Sequence, residues 1–352
     1  MLLNNPAINI GASIVGSGYE PFVVAEAGIN HNGDLGRAIE MIHVAKAAGC
    51  DAVKFQTFKA HEFVNDPSQM FTYQSQGRQV TESMLEMFRR YELPERAWSE
   101  IKNECDKVGI IFFSTPQNQS DLDLLLKIGV PAIKVGSDDF TNLPLLKTYA
   151  RSQLPLILST GMSDLSEAYQ AMDAVGALDG YPVILLVCTS QYPTPPVDAN
   201  LLRIRTLQKS FPMIPIGFSD HTIGPLASAL AVSLGAVFLE KHFTLSRDLP
   251  GPDHWFSEDP VGLTEWVSGI RTANMMLGDP LVRPSSIERR NKNDWQRRLV
   301  AASDISAGSK FTDTNIVMRR VEGGKGLPPS FFEHLIGSTA FRSYRAGDPI
   351  EL

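Results

Sequence analysis

Cysteine is scarce in this chain, a long apolar run is missing, and so is any excess of positive charge. Each absence removes a class of protein. The three cysteines, Cys50, Cys105 and Cys188, are far apart, odd in number and form no CxxC pair. That excludes a disulfide framework and a thiol-clustered metal centre, and predicts reduced, buried thiols in a reducing compartment. No stretch of about 18 apolar residues occurs, so no membrane span is expected. The opening "MLLNNPAINIGASIVGSG" lacks the basic start and sustained apolar core of a signal peptide, which makes a cytoplasmic location the expectation. A net charge of −7 lacks the basic footprint of a nucleic-acid surface. It leaves an anionic substrate open, because a pocket can be positive inside an acidic protein.

What is present fits an ordinary folded chain. With 352 residues, 43% of them apolar and 20% charged, there is room for one large α/β domain and a small one. Eight short apolar runs read as strands: "FVVAE" (22–26), "AVKFQ" (52–56), "IIFFS" (110–114), "AIKVG" (132–136), "PLILST" (155–160), "VILLVC" (183–188), "IPIGFS" (214–219) and "AVFLEKH" (236–242). Amphipathic stretches lie between them, several closed by a glycine at Gly49, Gly129 or Gly235, the usual helix stop. Near-continuous apolar strands alternating with helices imply a parallel sheet covered on both faces. Eight of them predict a closed (β/α)8 TIM barrel over residues 1–280. The first strand runs into "AEAGINHNGD", not the GxGxxG of a dinucleotide-binding fold. Residues 281–298, polar and basic without periodicity, read as a linker, and 299–352 as a compact, loop-rich module near the lower size limit for independent folding.

In such a barrel, functional groups sit at the C-terminal ends of the strands. There the chain puts Glu26, then Lys54 and Gln56, then Ser114 and Thr115, then Lys134 and Ser137, then Ser159 and Thr160. Thr189, Ser190, Gln191 and Tyr192 follow, then Ser219, Asp220 and His221, and last Glu240, Lys241 and His242. Buried charge at such places is costly unless paired or liganded. Two lysines among several hydroxyls suit a phosphate and a carboxylate. His221 and His242, at equivalent ends of successive strands, suit one divalent metal such as Mn²⁺, Fe²⁺ or Zn²⁺ acting as a Lewis acid. His31, in "INHNG", reads as a turn residue.

The motifs "AEAGINHNGD", "GCDAVKFQTF", "FFSTP", "IKVGS", "LILSTGMS", "CTSQYPTP", "GFSDHT" and "EKHFTLSRDLPGPDH" together resemble the sialic acid synthases and their legionaminic and pseudaminic acid relatives. The resemblance covers nearly the whole chain, the tail being similar to the family's antifreeze-like (SAF) domain. It implies an enzyme that condenses phosphoenolpyruvate with an open-chain N-acyl amino sugar, forming a C–C bond and releasing phosphate, for a surface polysaccharide. It implies phosphoenolpyruvate binding by Lys54, Thr115, Lys134, Ser137, Ser159, Ser190 and Ser219. Metal ligation would fall to His221 and His242, with Mn²⁺ as the metal and Mg²⁺ or Co²⁺ as alternatives. Glu26, Gln56, Tyr192, Glu240 and Asp253 would surround the sugar and the reacting carbons, Glu26 as general base. Asp139 stands where the sialic branch commonly has a glutamate that contacts sugar. Arg319 falls where the SAF domain presents an arginine to the sugar's acyl group, across a domain-swapped homodimer.

Ser190 stands where sialic acid synthases tend to carry asparagine, and "RRVEGGKGLPP" departs from the family's usual arginine loop. "PGPDH" and "YPTP" resemble the sialic and legionaminic branches more than the pseudaminic one. The acceptor therefore stays open between N-acetylmannosamine and a 2,4-diacetamido-trideoxy hexose. The alternative enzyme is a pseudaminic acid synthase or another metal-dependent barrel aldolase or 3-deoxy-octulosonate phosphate synthase relative, the last of which would need a second basic cluster for a phosphorylated acceptor. A sugar-sensing or ice-binding module is a third reading, disfavoured by the charge of the tail.

Overall fold

The computed structural model describes residues 6–351. Residues 1–5 and 352, the outer ends of both expected domains and the start of the stretch expected to lack a leader, lie outside the described residues. The chain divides into two compact units, Met1–Gly278 and Asp279–Leu352.

The first unit opens with an antiparallel hairpin, β1 (Ala7–Ile10) and β2 (Ser13–Gly16), before β3 (Phe22–Gly28) and α1 (Leu35–Ala47). Next come β4 (Ala52–Thr57), the single turn α2 (Ala60–Phe63), a second hairpin β5 (Met70–Ser75) and β6 (Arg78–Ser83), α3 (Met84–Tyr91) and α4 (Glu95–Val108). The alternation then becomes regular: β7 (Ile111–Pro116), α5 (Gln119–Ile128), β8 (Ile133–Val135), α6 (Leu143–Ala150), β9 (Leu156–Ser159), α7 (Leu165–Ala174) and β10 (Val183–Cys188). It ends with α8 (Arg203–Ser210), β11 (Ile216–Asp220), α9 (Leu226–Ser233), β12 (Phe238–His242) and α10 (Pro260–Leu277). The eight parallel strands close in the order β10-β11-β12-β3-β4-β7-β8-β9, and each coincides with one of the eight runs read from the sequence. The three glycine stops all adopt positive φ, 86°, 78° and 93° at Gly49, Gly129 and Gly235.

Side chains alternate across each strand, so neighbouring residues go to different cores. Val23, Val53, Phe112, Leu158, Leu185 and Leu239 pack outward against the helices. Their neighbours Val24, Ala52, Phe113, Ile157, Leu186 and Phe238 fill the barrel interior, together with Ile10 and Val15 of the β1–β2 hairpin. Burying each of those two hairpin side chains contributes about 1.5–3 kcal/mol. The hairpin is therefore a stopper built into the barrel core, which a pattern of four-residue strands does not announce.

In the second unit, β13 (Arg298–Ala301) and β14 (Ile316–Arg319) pair antiparallel around a core that includes Leu299, Ile305, Phe311, Tyr344 and Ile350, with the single turn α12 (Phe332–Leu335) beside them. The expected linker 281–298 needs correction, because it holds α11 (Ser286–Trp295). Ser285 and Glu288 form a reciprocal capping box, and none of the helix's residues is buried. A helix held by its cap and by helix-favouring charged residues, with no apolar stripe, leaves no periodicity to detect. All three cysteines are buried and unpaired. Among the described residues no helix is long and apolar enough to cross a membrane.

Candidate active site

The C-terminal ends of the strands open into a cavity of about 720 Å³. Register explains what gathers there. Glu26 on β3 lies beside Lys54 on β4 and beside His242 on β12, while Gln56 lies beside Thr115, and Ser219 beside Glu240. Side chains from adjacent strands at one level thus converge.

The Lys54 Nζ sits 2.8 Å from Glu26 Oε2 and 3.9 Å from Glu240 Oε2, and donates to Thr115 Oγ1 at 3.2 Å. The Lys134 Nζ donates to Ser159 Oγ at 2.8 Å and to the Val135 carbonyl at 3.0 Å, with Glu240 Oε1 3.7 Å away. Ser219 donates to Glu240 Oε1 at 3.1 Å, and Gln56 Nε2 to Glu26 Oε1 at 3.4 Å. Both ammonium groups are only 3% exposed, so neither lysine snorkels to solvent.

The two carboxyls divide their roles. Burial pushes Glu26 up to about 7, against the pull of Lys54 and with the help of the Glu240 charge. Glu240, equally buried, is held below the ordinary carboxylate value by Lys134 and Lys54. Burial, reinforced by Lys54, brings Lys134 below the usual lysine value although Glu240 opposes it. One carboxylate thus serves two buried lysines while the other is poised to exchange a proton near neutrality. Glu26 Oε2, Glu240 Oε2 and Ser190 Oγ are buried without a hydrogen-bond partner.

Ser137, Ser190 and Gly161 form the far side. Gly161 N–H donates to Ser137 Oγ at 3.0 Å, and a Cβ on Gly161 would meet Ser190 Oγ at 2.3 Å and Ser137 Cβ at 2.9 Å. A methyl there would fill the cradle that these hydroxyls leave. Gly161→Ala is expected to raise the KM of any anion held there about tenfold or more, on the scale of two lost hydrogen bonds at about 0.5–1.5 kcal/mol each. Steady-state kinetics with the anion varied checks this, and an unchanged KM would remove the cradle from the site.

The histidine rings lie 5.4 Å apart between centroids, with Tyr192 4.2 Å over His221 and 5.8 Å from His242. His221 Nδ1 is 2.8 Å from the Thr189 carbonyl, to which it donates, so that Nε2 carries the lone pair when the ring is neutral; against burial, Cys188 holds His221 above the ordinary histidine value. Burial holds His242 well below the ordinary histidine value and therefore neutral. Its Nδ1 is buried without a hydrogen-bond partner, 3.9 Å from Asp253 Oδ2, and burial pushes that carboxyl up to about 6. Among the described residues no three His, Cys, Asp or Glu side chains gather tightly enough to cage a metal. His242, held neutral, and His221 in its deprotonated form nevertheless fit a divalent cation that takes its remaining ligands from water and substrate.

Ser114, Thr160, Thr189, Asp220 and Lys241 do not line the cavity, and neither do Asp139, Arg319 and His31. Asp139 accepts from Asn142 Nδ2 at 3.0 Å near the start of α6 and does not line the cavity, whereas its neighbour Asp138 does. Arg319 is exposed on β14 in the second unit. His31 is fully buried, and its Nδ1 accepts from Gly33 N–H at 3.1 Å, a structural turn. Sequence reasoning missed the outer wall of the cavity, made by Phe71, Tyr73, Gln74 and Gln79 of the β5–β6 hairpin with Trp255 and Phe256. Ser75 and Gln76 tie the hairpin to the loop after β12: Gly251 N–H donates to Ser75 Oγ at 3.1 Å, and Gln76 Nε2 to the Asp248 carbonyl at 2.7 Å. The alternation of "MFTYQS" was the available signal.

Residues 41–281 match the NeuB family, and residues 296–352 match the SAF domain. The chain is 38% identical to the N,N'-diacetyllegionaminic acid synthase of Legionella pneumophila over 98% of its own length and 97% of that protein. It is 33% identical to the pseudaminic acid synthase of Helicobacter pylori, over 94% of the chain and 96% of that protein. The crystal structure of the N-acetylneuraminic acid synthetase of Leptospira borgpetersenii, in complex with citrate, superposes with a TM-score of 0.73 at 33% identity, covering 82% of this chain and 95% of that one.

Proposed function

The chain belongs to the NeuB family, and on that premise we propose that it is a nonulosonic acid synthase. It condenses phosphoenolpyruvate with an unphosphorylated, open-chain N-acyl amino sugar of the 2,4-diacetamido-2,4,6-trideoxymannose type. The observation that carries the reading is the pair of buried lysines, Lys54 and Lys134, which share one ionised carboxylate, Glu240, amid hydroxyls from Thr115, Ser159 and Ser219. That excess of positive charge calls for an anion carrying both a phosphate and a carboxylate.

In this reading the lysines and hydroxyls hold phosphoenolpyruvate in line with the aldehyde, a contribution of position and electrostatics. The electron pair of the C2–C3 double bond forms the new bond to the aldehyde carbon, whose oxygen gains a proton and becomes a hydroxyl. Water bonds to C2 and gives its proton to Glu26. The tetrahedral C2 then breaks its C–O bond to phosphate, its hydroxyl proton passes to the departing phosphate, and C2 becomes the ketone. His221 and His242 would hold a divalent metal, Mn²⁺ in the first instance, which supplies polarisation of the aldehyde when bound. Asp253 and Tyr192 border that end of the cavity. A homodimer that brings Arg319 to a partner's sugar belongs to the same proposal.

The acceptor follows from the outer wall. Apart from Lys54 and Lys134, no lysine or arginine among the described residues lines the cavity. A phosphorylated sugar would need a second cationic cluster, which disfavours the octulosonate-phosphate alternative. Phe71, Tyr73, Trp255 and Phe256 suit a methyl terminus and acetyl methyls instead. Phosphate release from phosphoenolpyruvate with Mn²⁺ should be measured on three sugars in parallel, with mass detection of products. The expected kcat/KM for the diacetamido-trideoxy sugar exceeds that for N-acetylmannosamine by about 10–100-fold, the discrimination an apolar pocket achieves against an added hydroxyl. N-acetylmannosamine 6-phosphate is expected to be inert, and turnover of it alone would overturn the acceptor assignment.

A further inference from the structure

We infer that a buried charge network on the outer face of the barrel, centred on Lys241, positions His221 and His242 for a shared divalent cation. The inference rests on the reading of those histidines as metal ligands. Strand alternation makes the network necessary: Ser219 and His221 flank Asp220, and Glu240 and His242 flank Lys241, so the flanking residues line the cavity while Asp220 and Lys241 face outward. There, between strands and helices, Lys241 is 2% exposed and Asp220 fully buried. Nothing in an apolar layer stabilises such charges except each other.

They are paired closely. Lys241 Nζ lies 3.1 Å from Asp220 Oδ2 and 3.9 Å from Glu258 Oε1, and donates to the Thr222 carbonyl. Asp220 accepts from Thr222 N–H and Thr222 Oγ1 at 2.8 Å each and from Ser228 Oγ at 2.7 Å, and Trp266 Nε1 donates to that same serine at 2.8 Å. Glu258 accepts from Gly224 N–H at 2.8 Å and from Arg247 Nη2 at 2.7 Å. Backbone bonds complete the tie: Glu258 N–H donates to the His242 carbonyl at 3.0 Å.

One arm, through Ser228 and Trp266, ends on α9 and α10; the others end on the turn that follows His221 or on the residues beside His242. Lys241 and Asp220 both grip Thr222, one residue past His221; Glu258 grips Gly224 on the same turn and the carbonyl of His242 itself. Two cations, Lys241 and Arg247, against two carboxylates, Asp220 and Glu258, leave the cluster without net charge. Replacing such a group by an apolar cluster could hold the helices as well. What only this network does is fasten the turn after β11 to the end of β12, and thereby fix one imidazole relative to the other. Lys241 is on this view a positioning residue.

The test compares wild type with Lys241→Met and Lys241→Arg in the full-length protein. Mn²⁺ binding is titrated by electron paramagnetic resonance, and phosphoenolpyruvate binding is measured separately in metal-free buffer. Lys241→Met is expected to weaken Mn²⁺ by about 10–100-fold, as losing an outer support of a metal ligand does. Phosphoenolpyruvate affinity should stay within twofold, and Lys241→Arg should recover most of the metal affinity. Folded Lys241→Met with Mn²⁺ affinity within twofold of wild type would overturn the inference, and so would equal loss of both ligands, which marks a general structural role. If wild type binds no Mn²⁺, or binds it unchanged after His221→Ala, the metal reading itself fails and the inference with it. Should Lys241→Met not fold, Arg247→Met, at the half-exposed end of the network, is judged by the same two affinities with a smaller expected loss.

Discussion

Glu26→Gln is expected to lower kcat by about 10²- to 10⁴-fold, the range for losing a positioned acid–base group. The KM for phosphoenolpyruvate should change little, because glutamine keeps the shape of the protonated carboxyl. The pH profile separates this role from a purely structural one. With the Glu26 pKa raised to about 7 by burial, wild-type turnover should fall as pH drops below about 7 and the base becomes protonated. The variant's residual rate should lack that limb. Stability carries the opposite sign. A carboxyl whose pKa is higher in the folded chain than the unfolded value of 4.5 binds more protons when folded. Its contribution is full below pH 4.5 and is lost as pH rises through about 7. Glu26→Gln should therefore flatten a decline of thermal stability between those pH values. A variant with near-normal kcat, or with the same acid limb, would take Glu26 out of the proton transfer.

Lys134→Met is the second large effect. We expect kcat/KM for phosphoenolpyruvate to fall by about 10²–10³-fold, the scale of removing one preorganised group that holds charge in a dry site. The ligand-free protein should not lose stability. Near neutrality Glu26 is only partly ionised while Glu240 is ionised, so the two lysines outnumber their counter-charge, and removing one relieves repulsion. Lys54 keeps Glu240 company at 3.9 Å. Thermal unfolding with and without phosphoenolpyruvate reads both halves: ligand should raise the wild-type midpoint and leave the variant's unmoved. A variant that melts several degrees lower yet still binds phosphoenolpyruvate would mean that Lys134 serves the fold and not an anion.

Much of the barrel was legible in the sequence because parallel strands buried on both faces have to be written as apolar runs, and a polar residue interrupting such a run has few reasons to be there. Lys54 and Lys134 stood out on that ground, as did His221 and His242 by repetition. The elements that escaped do not obey that logic. The β1–β2 hairpin enters the core through Ile10 and Val15 alone, and α11 has no buried side to betray it. The β5–β6 hairpin lies outside the barrel layer, so its contribution to the cavity depends on tertiary placement. Asp138 and Asp139 differ in a way only the turn after β8 decides, since one faces the cavity and the other turns to Asn142. Asp220 and Lys241 were expected at the rim with their neighbours, and that expectation fails because the pleat sends them to the opposite side of the strands.

The stopper formed by Ile10 and Val15 has a consequence for traffic. With the N-terminal end of the barrel filled, the cavity is a vessel with a single mouth, and its lysines sit on the strands while the aromatic hairpin stands at the rim. Whatever rests on the lysines has to be first in and last out. In the proposed reaction, a sugar that arrived early would block the passage of phosphoenolpyruvate, and the long product would have to clear the opening before phosphate follows. The order of binding and release in that reaction would then be set by the floor of the molecule, far from any group that does chemistry.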